Sequence, residues 1–156
     1  MLLQIEAIKE MNEKKNSPNW NIAATHFLTA GFVVPFLVRL VAMAIVGALF
    51  SSLYLSFIVV YIIQLAVLIL SVWLGVIYSA RYIYKKYVIT NSSSIIGLST
   101  AYTIILQAIS LIIGISRGDG VNEGTAYGVI FSLVLILSFY FFSKKYISAN
   151  ITTTIA

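Results

Sequence analysis

The sequence predicts an all-α protein: an integral membrane bundle of four transmembrane helices, preceded by a short N-terminal amphipathic helix. Three observations carry this expectation. Of 156 residues, 60% are apolar and only 10% charged, whereas soluble domains run near about half apolar and about a quarter charged. The charges lie in clusters separated by long uncharged runs, at 40–80, 87–116 and 124–143. Lysine and arginine then fall almost wholly on one side of the map those runs define. Such a composition excludes an ordinary water-soluble domain, a disordered chain and a nucleic-acid-binding arm. No nucleic-acid partner is therefore expected. No polar stretch is long enough for a separate globular domain.

Residues 1–16 read as a cytoplasmic amphipathic helix. Ile5, Ile8 and Met11 share a face with Met1 or Leu2. Glu6–Lys9 and Glu10–Lys14 have the spacing of helical ion pairs. Acids interrupt the segment and its apolar part is short, so it does not read as a signal peptide. It suits either the inner leaflet surface or a docking partner. Asn16-Ser17-Pro18 ends it. Ser17 as N-cap with Pro18 at the first helical position starts the next helix. Pro35 is expected to kink that helix.

Residues 17–156 form one transmembrane domain, with spans near 28–50, 54–79, 94–115 and 125–142. The run 40–80, as one helix, would reach roughly 60 Å at about 1.5 Å per residue. The hydrocarbon core is only about 30 Å thick. The run must turn once, and Ser51-Ser52 places the turn at 51–54. The two later runs each suit one crossing of about 20 residues. Helices satisfy their own backbone groups in lipid. The alternation of a membrane β-strand is missing from runs such as Ile62-Ile63-Gln64-Leu65-Ala66-Val67.

Orientation follows from lysine and arginine. Lys9, Lys14 and Lys15 precede the first span, Arg81, Lys85 and Lys86 follow the second, and Lys144 and Lys145 follow the fourth. Only Arg117 marks the opposite side. Both termini are thus expected in the cytoplasm, with the protein integral to a plasma or inner membrane. A rival map with a fifth span around 20–38 contains Asn21, Thr25, His26, Thr29 and Pro35, a poor span, and it weakens the charge split. Trp20, Tyr78, Tyr82, Tyr84, Tyr87, Tyr140 and Tyr146 gather at the inner boundary, and Phe50, Tyr54 and Tyr127 at the outer, as amphipathic rings prefer. With Arg81, Lys85, Lys86, Lys144 and Lys145, Trp20 is expected to meet lipid headgroups, including anionic ones. The connector 116–124 reads as a glycine-rich turn.

Catalytic and metal chemistry find little to use. Cysteine is absent, and His26 is the one histidine, which builds no metal site by itself. No catalytic residue, metal or cofactor is expected, and the protein reads as non-enzymatic. Arg39 is the informative residue. It lies near the middle of the first span, where arginine costs about 2.5–3.5 kcal/mol on insertion scales. No acid lies inside any span to pair with it. Gln64 and Gln107 fall at similar depth on their own helices. The three suggest an internal polar level that binds an anionic solute or lipid headgroup. Alternatively Arg39 snorkels to the inner face and the glutamines hold helices together.

Small residues recur at spacing four: Gly75 and Ser79, Gly97 and Ala101, Ser110 and Gly114, Gly128 and Ser132. They are expected to permit close helix approach. Tyr84-Lys85-Lys86-Tyr87-Val88 is echoed by Ser143-Lys144-Lys145-Tyr146-Ile147, either a trace of hairpin duplication or a product of the same interface rules. Two functions fit. The first is a non-enzymatic accessory or structural subunit of a membrane assembly. The second is a small oligomeric transporter, channel or flippase for an anionic solute or lipid. Either implies a protein partner or a homo-oligomer within the bilayer.

Overall fold

A computed structural model describes residues 15–50, 57–117 and 123–154, with side chains at 15–45, 58–116 and 124–148. The expected N-terminal helix, apart from its last two residues, lies outside this range. So do the expected turn at 51–54 and residues 118–122 of the glycine-rich connector.

Among the described residues all regular structure is helical: α1 (Asn19–His26), a π-helical segment (Phe27–Val33), α2 (Val34–Phe50), α3 (Phe57–Lys86), α4 (Ser92–Arg117) and α5 (Glu123–Thr154). α1, the π-helical segment and α2 follow without a break and make one rod. Four stretches are long and apolar enough to cross a membrane: Asn19–Ile45, Ile58–Lys86, Ser92–Ser116 and Gly124–Ser148. At about 1.5 Å per residue they rise about 40 Å, more than the hydrocarbon thickness of about 30 Å.

The helices overrun the expected spans chiefly at the end bearing Arg81, Lys85, Lys86, Lys144 and Lys145, here the basic end. The charges that end an apolar run do not end a helix, and no glycine or proline follows Gly128 to stop α5. The opposite end, where the first rod leads into α3 and α4 into α5, is the hairpin end.

The first helix starts one residue later than expected. Pro18 is extended at φ −63°, ψ 146° and precedes Asn19 without a side-chain cap. Its carbonyl accepts from the N–H groups of Asn21 and Ile22. The Ser17 hydroxyl is engaged instead by the Asn21 side-chain amide, 3.1 Å away. α4 does have a side-chain cap: Asn91 Oδ1 accepts from the Ser94 N–H at 3.0 Å. Lys15 and Tyr87 form an isolated parallel bridge, with Lys15 N–H donating to the Lys86 carbonyl and Val88 N–H to the Lys15 carbonyl. This pins the entry of the first rod to the exit of α3.

The rods neighbour one another in the order first rod, α3, α5, α4, and back to the first rod. α4 meets the first rod through α1 and the π-helical segment, whereas α2 packs chiefly on α3. Two apolar clusters fill the interior. One lies at the basic end around Ile22, Ala23, Ile83, Ile95 and Ile147. The other lies at mid-length around Ala30, Leu68, Val72, Val76, Leu135 and Phe139. Every buried residue among those described lies at the level of Pro35, Leu68, Thr103 and Ser132 or nearer the basic end. The bundle is therefore sealed at the basic end and open in its hairpin half.

The departure from α geometry precedes Pro35. In the π-helical segment the last such bond runs from Val34 N–H to the Thr29 carbonyl, and Pro35 has no N–H with which to continue. Gly75 of α3 lies against this segment. A Cβ there would sit 2.8 Å from the Ala30 carbonyl oxygen, so the close approach requires glycine.

Candidate functional site

At the basic end, Trp20, Arg81, Lys85, Lys86, Lys144 and Lys145 are all exposed. Lys86 donates to the Tyr82 hydroxyl at 2.7 Å and lies over the Tyr82 and Tyr87 rings. Lys145 lies over the Tyr146 ring. Cations on aromatic faces at one level suit a headgroup boundary.

Just inside this belt lies a polar contact that sequence reasoning missed. His26 is fully buried. Its Nδ1 is 2.8 Å from Ser79 Oγ on α3, and its Nε2 is 2.9 Å from Ser143 Oγ on α5. A neutral imidazole offers one donor and one acceptor, and each hydroxyl can be either, so both ring nitrogens are satisfied in either tautomer. Both serines are fully buried as well. A histidine–serine pair at this distance has the geometry of a base and its nucleophile, but substrate has no way in, and the triad ties three rods together instead. His26 and Ala30 on the first rod oppose Ser79 and Gly75 on α3, an antiparallel register at spacing four. The histidine's position on that face was the one readable signal.

Arg39 of α2 lies in the hairpin half. Its guanidinium carbon is 4.6 Å from the centroid of the Phe131 ring on α5. None of its N–H groups is hydrogen bonded to a described residue. The sequence has no acid between Glu13 and Asp119. Arg39 borders three cavities. One, about 480 Å³, is lined also by Gln107, Ser110, Thr125 and Ser132 and reaches towards the hairpin end at Gly114 and Gly124. A second, about 600 Å³, shares Gln107 and Ser110 and is otherwise apolar, with Phe32, Phe36, Leu40 and Met43 at its mouth. A third, about 130 Å³, holds Gln64 among Ala42, Val60, Ile63 and Val67.

Of the three polar residues expected at one depth, one each on α2, α3 and α4, the two glutamines each border a cavity with Arg39 but share none with each other. Gln64 and Gln107 flank it in different cavities. Gln107 does not bond Arg39; its Oε1 accepts from Ser132 Oγ at 3.0 Å. The small residues divide by role. Gly75 and Ser79 do bring helices together. Ser110, Gly114, Gly128 and Ser132 line the polar cavity, and a Cβ at Gly114 or Gly97 would meet nothing within 4 Å. At Gly97 and Gly114 small size draws no helix close, whereas Gly128 lies against Leu111 of α4, 3.5 Å from where its Cβ would be. No group of three or more histidine, aspartate or glutamate residues that could hold a metal occurs among the described residues.

Compared with known protein families, curated proteins and solved structures, the chain matches none.

Proposed function

We propose that the chain is an integral membrane protein, basic end in the cytoplasm, and that it acts as a small carrier of transporter or flippase type for an anionic solute or lipid. Arg39 is its anion-binding group. The supporting observation is that this cation, with no acid beside it among the described residues, borders three cavities of the hairpin half, two shared with Gln107 and one with Gln64. An anion there would offset the cost of holding arginine at membrane depth. The polar cavity opens towards the hairpin end, while the Phe139 cluster and the His26 contact close the basic end. Access from one side at a time is what a carrier needs, and the π-helical segment, a geometry common at functional sites, lies where closure begins. The reading is non-enzymatic and requires no cofactor. A bundle of four helices is slim, so a homo-oligomer is part of it.

The test uses liposomes holding the purified protein, loaded with inorganic phosphate or doped with fluorescently labelled phosphatidylglycerol. Phosphate release or lipid transfer between leaflets should exceed protein-free liposomes. Arg39→Gln should lower the rate at least tenfold, and Arg39→Lys should keep part of it, because the charge remains while the fork is lost. Rates equal to protein-free liposomes for both probes, or unchanged in Arg39→Gln, would refute the carrier. A larger protein recovered in fixed stoichiometry in mild detergent would instead support the accessory-subunit reading.

A further inference from the structure

We infer that the ligand of this site is an anionic amphiphile, with its charged headgroup beside Arg39 in the polar cavity and its apolar chain in the groove between α2 and α4. This rests on the anion-carrier reading above and names the substrate class. The two larger cavities share Arg39, Gln107, Ser110 and Leu135, so they meet at the guanidinium. They differ in chemistry on either side of it. Towards the hairpin end the walls carry hydroxyls and an amide. Towards α2 and α4 they carry Phe32, Phe36, Leu40 and Met43, all exposed on the flank of the bundle. The groove exists because α4 leaves α2 once past the π-helical segment. Each volume lies within the roughly 300–1,000 Å³ of ligand sites. A free inorganic anion would leave the groove unused. An amphiphile fills both, with its chain continuous with the surrounding lipid. Phe131 covers one face of the guanidinium, and the N–H edge remains for the headgroup oxygens.

The full chain in neutral detergent is titrated with lysophosphatidic acid, with glycerol phosphate (head alone) and with monoacylglycerol (chain alone). Bound copies are counted by native mass spectrometry. Lysophosphatidic acid should saturate at one per chain, at least tenfold tighter than either half. Arg39→Gln should weaken it tenfold or more. Leu40→Trp, at an exposed position where folding is unaffected, should block the groove and weaken it similarly, and Leu37→Trp, exposed outside the groove, should not. Should Arg39→Gln fail to fold, the tryptophan pair still decides. Glycerol phosphate binding as tightly as lysophosphatidic acid would overturn the amphiphile while leaving the carrier standing. Saturable lysophosphatidic acid binding without transport would do the reverse. Binding indifferent to Leu40→Trp overturns the inference, and a loss of dimer mass in that variant would assign the groove to a second copy of the chain.

Discussion

His26 shows how much one buried polar residue can constrain. It reaches from the first rod to hydroxyls on α3 and α5 and lies tilted against Phe139, ring centroids 5.2 Å apart. His26→Ala removes both cross-helix hydrogen bonds and leaves a void beside Phe139. The expected loss in denaturant or thermal unfolding in detergent is about 2–4 kcal/mol. His26→Phe refills the space but strands the two hydroxyls, so its loss should be smaller, about 1–3 kcal/mol. The serines can turn back to carbonyls of their own helices, as Ser71, Ser99 and Thr103 do, and this keeps the second figure modest. A loss under about 0.5 kcal/mol in both variants would mean the contact holds nothing. The sequence marks His26 as solitary, and for metal chemistry it is. Its serine partners lie 53 and 117 positions away, and their pairing depends on inter-helix register, which composition and periodicity do not report. Arg39 is the opposite case. Its depth and that of both glutamines can be counted from the ends of uncharged runs, but the preference of Gln107 for Ser132 cannot.

Helix-level features separate glycines that look alike in sequence. Gly75 and Gly97 each begin a small residue pair at spacing four, yet only Gly75 touches another rod. Gly75→Ala would force a methyl against the Ala30 carbonyl oxygen at 2.8 Å and Ala30 Cα at 3.1 Å. Both are backbone atoms that cannot swing away, so the expected cost is about 1–3 kcal/mol. Gly97→Ala meets no neighbour and should stabilise α4 by about 0.5–1 kcal/mol through backbone entropy. Unfolding both variants side by side in detergent checks the pair, and equal signs would contradict the close approach. The repeated Lys-Lys-Tyr strings also diverge. The first ends α3 at Lys86 and sends Tyr87 into a backbone bridge. The second lies within α5, which continues to Thr154. Similar strings with different local structure favour interface chemistry over duplication as their origin.

Across the whole molecule, the four apolar helices are legible from charge spacing, hydrocarbon thickness and the Ser51-Ser52 pair, because a charge in lipid is costly and a single crossing is short. The asymmetry between a packed basic half and an open hairpin half is not legible, since hydropathy along the chain does not report which helix faces meet. It arises from the register of His26, Ala30, Gly75 and Ser79, which draws the rods together at one end, and from the divergence of α2 and α4 at the other. Which side the hairpin end faces decides the side from which the proposed carrier loads. The orientation proposed above, hairpin end outwards, rests on the positive-inside rule: Arg81, Lys85, Lys86, Lys144 and Lys145 share the basic end, and Arg117 falls near the other. The chain has no cysteine, so single cysteines report position without a background. Thr90 is exposed in the basic-end connector, and Asn122 lies in the hairpin-end connector by sequence. In intact cells, Thr90→Cys should resist an impermeant maleimide and react only after lysis, whereas Asn122→Cys should react before it. Labelling of Thr90→Cys in intact cells with protection of Asn122→Cys would invert the map. The Arg39 cavity would then open to the cytoplasm, and the carrier would load from within.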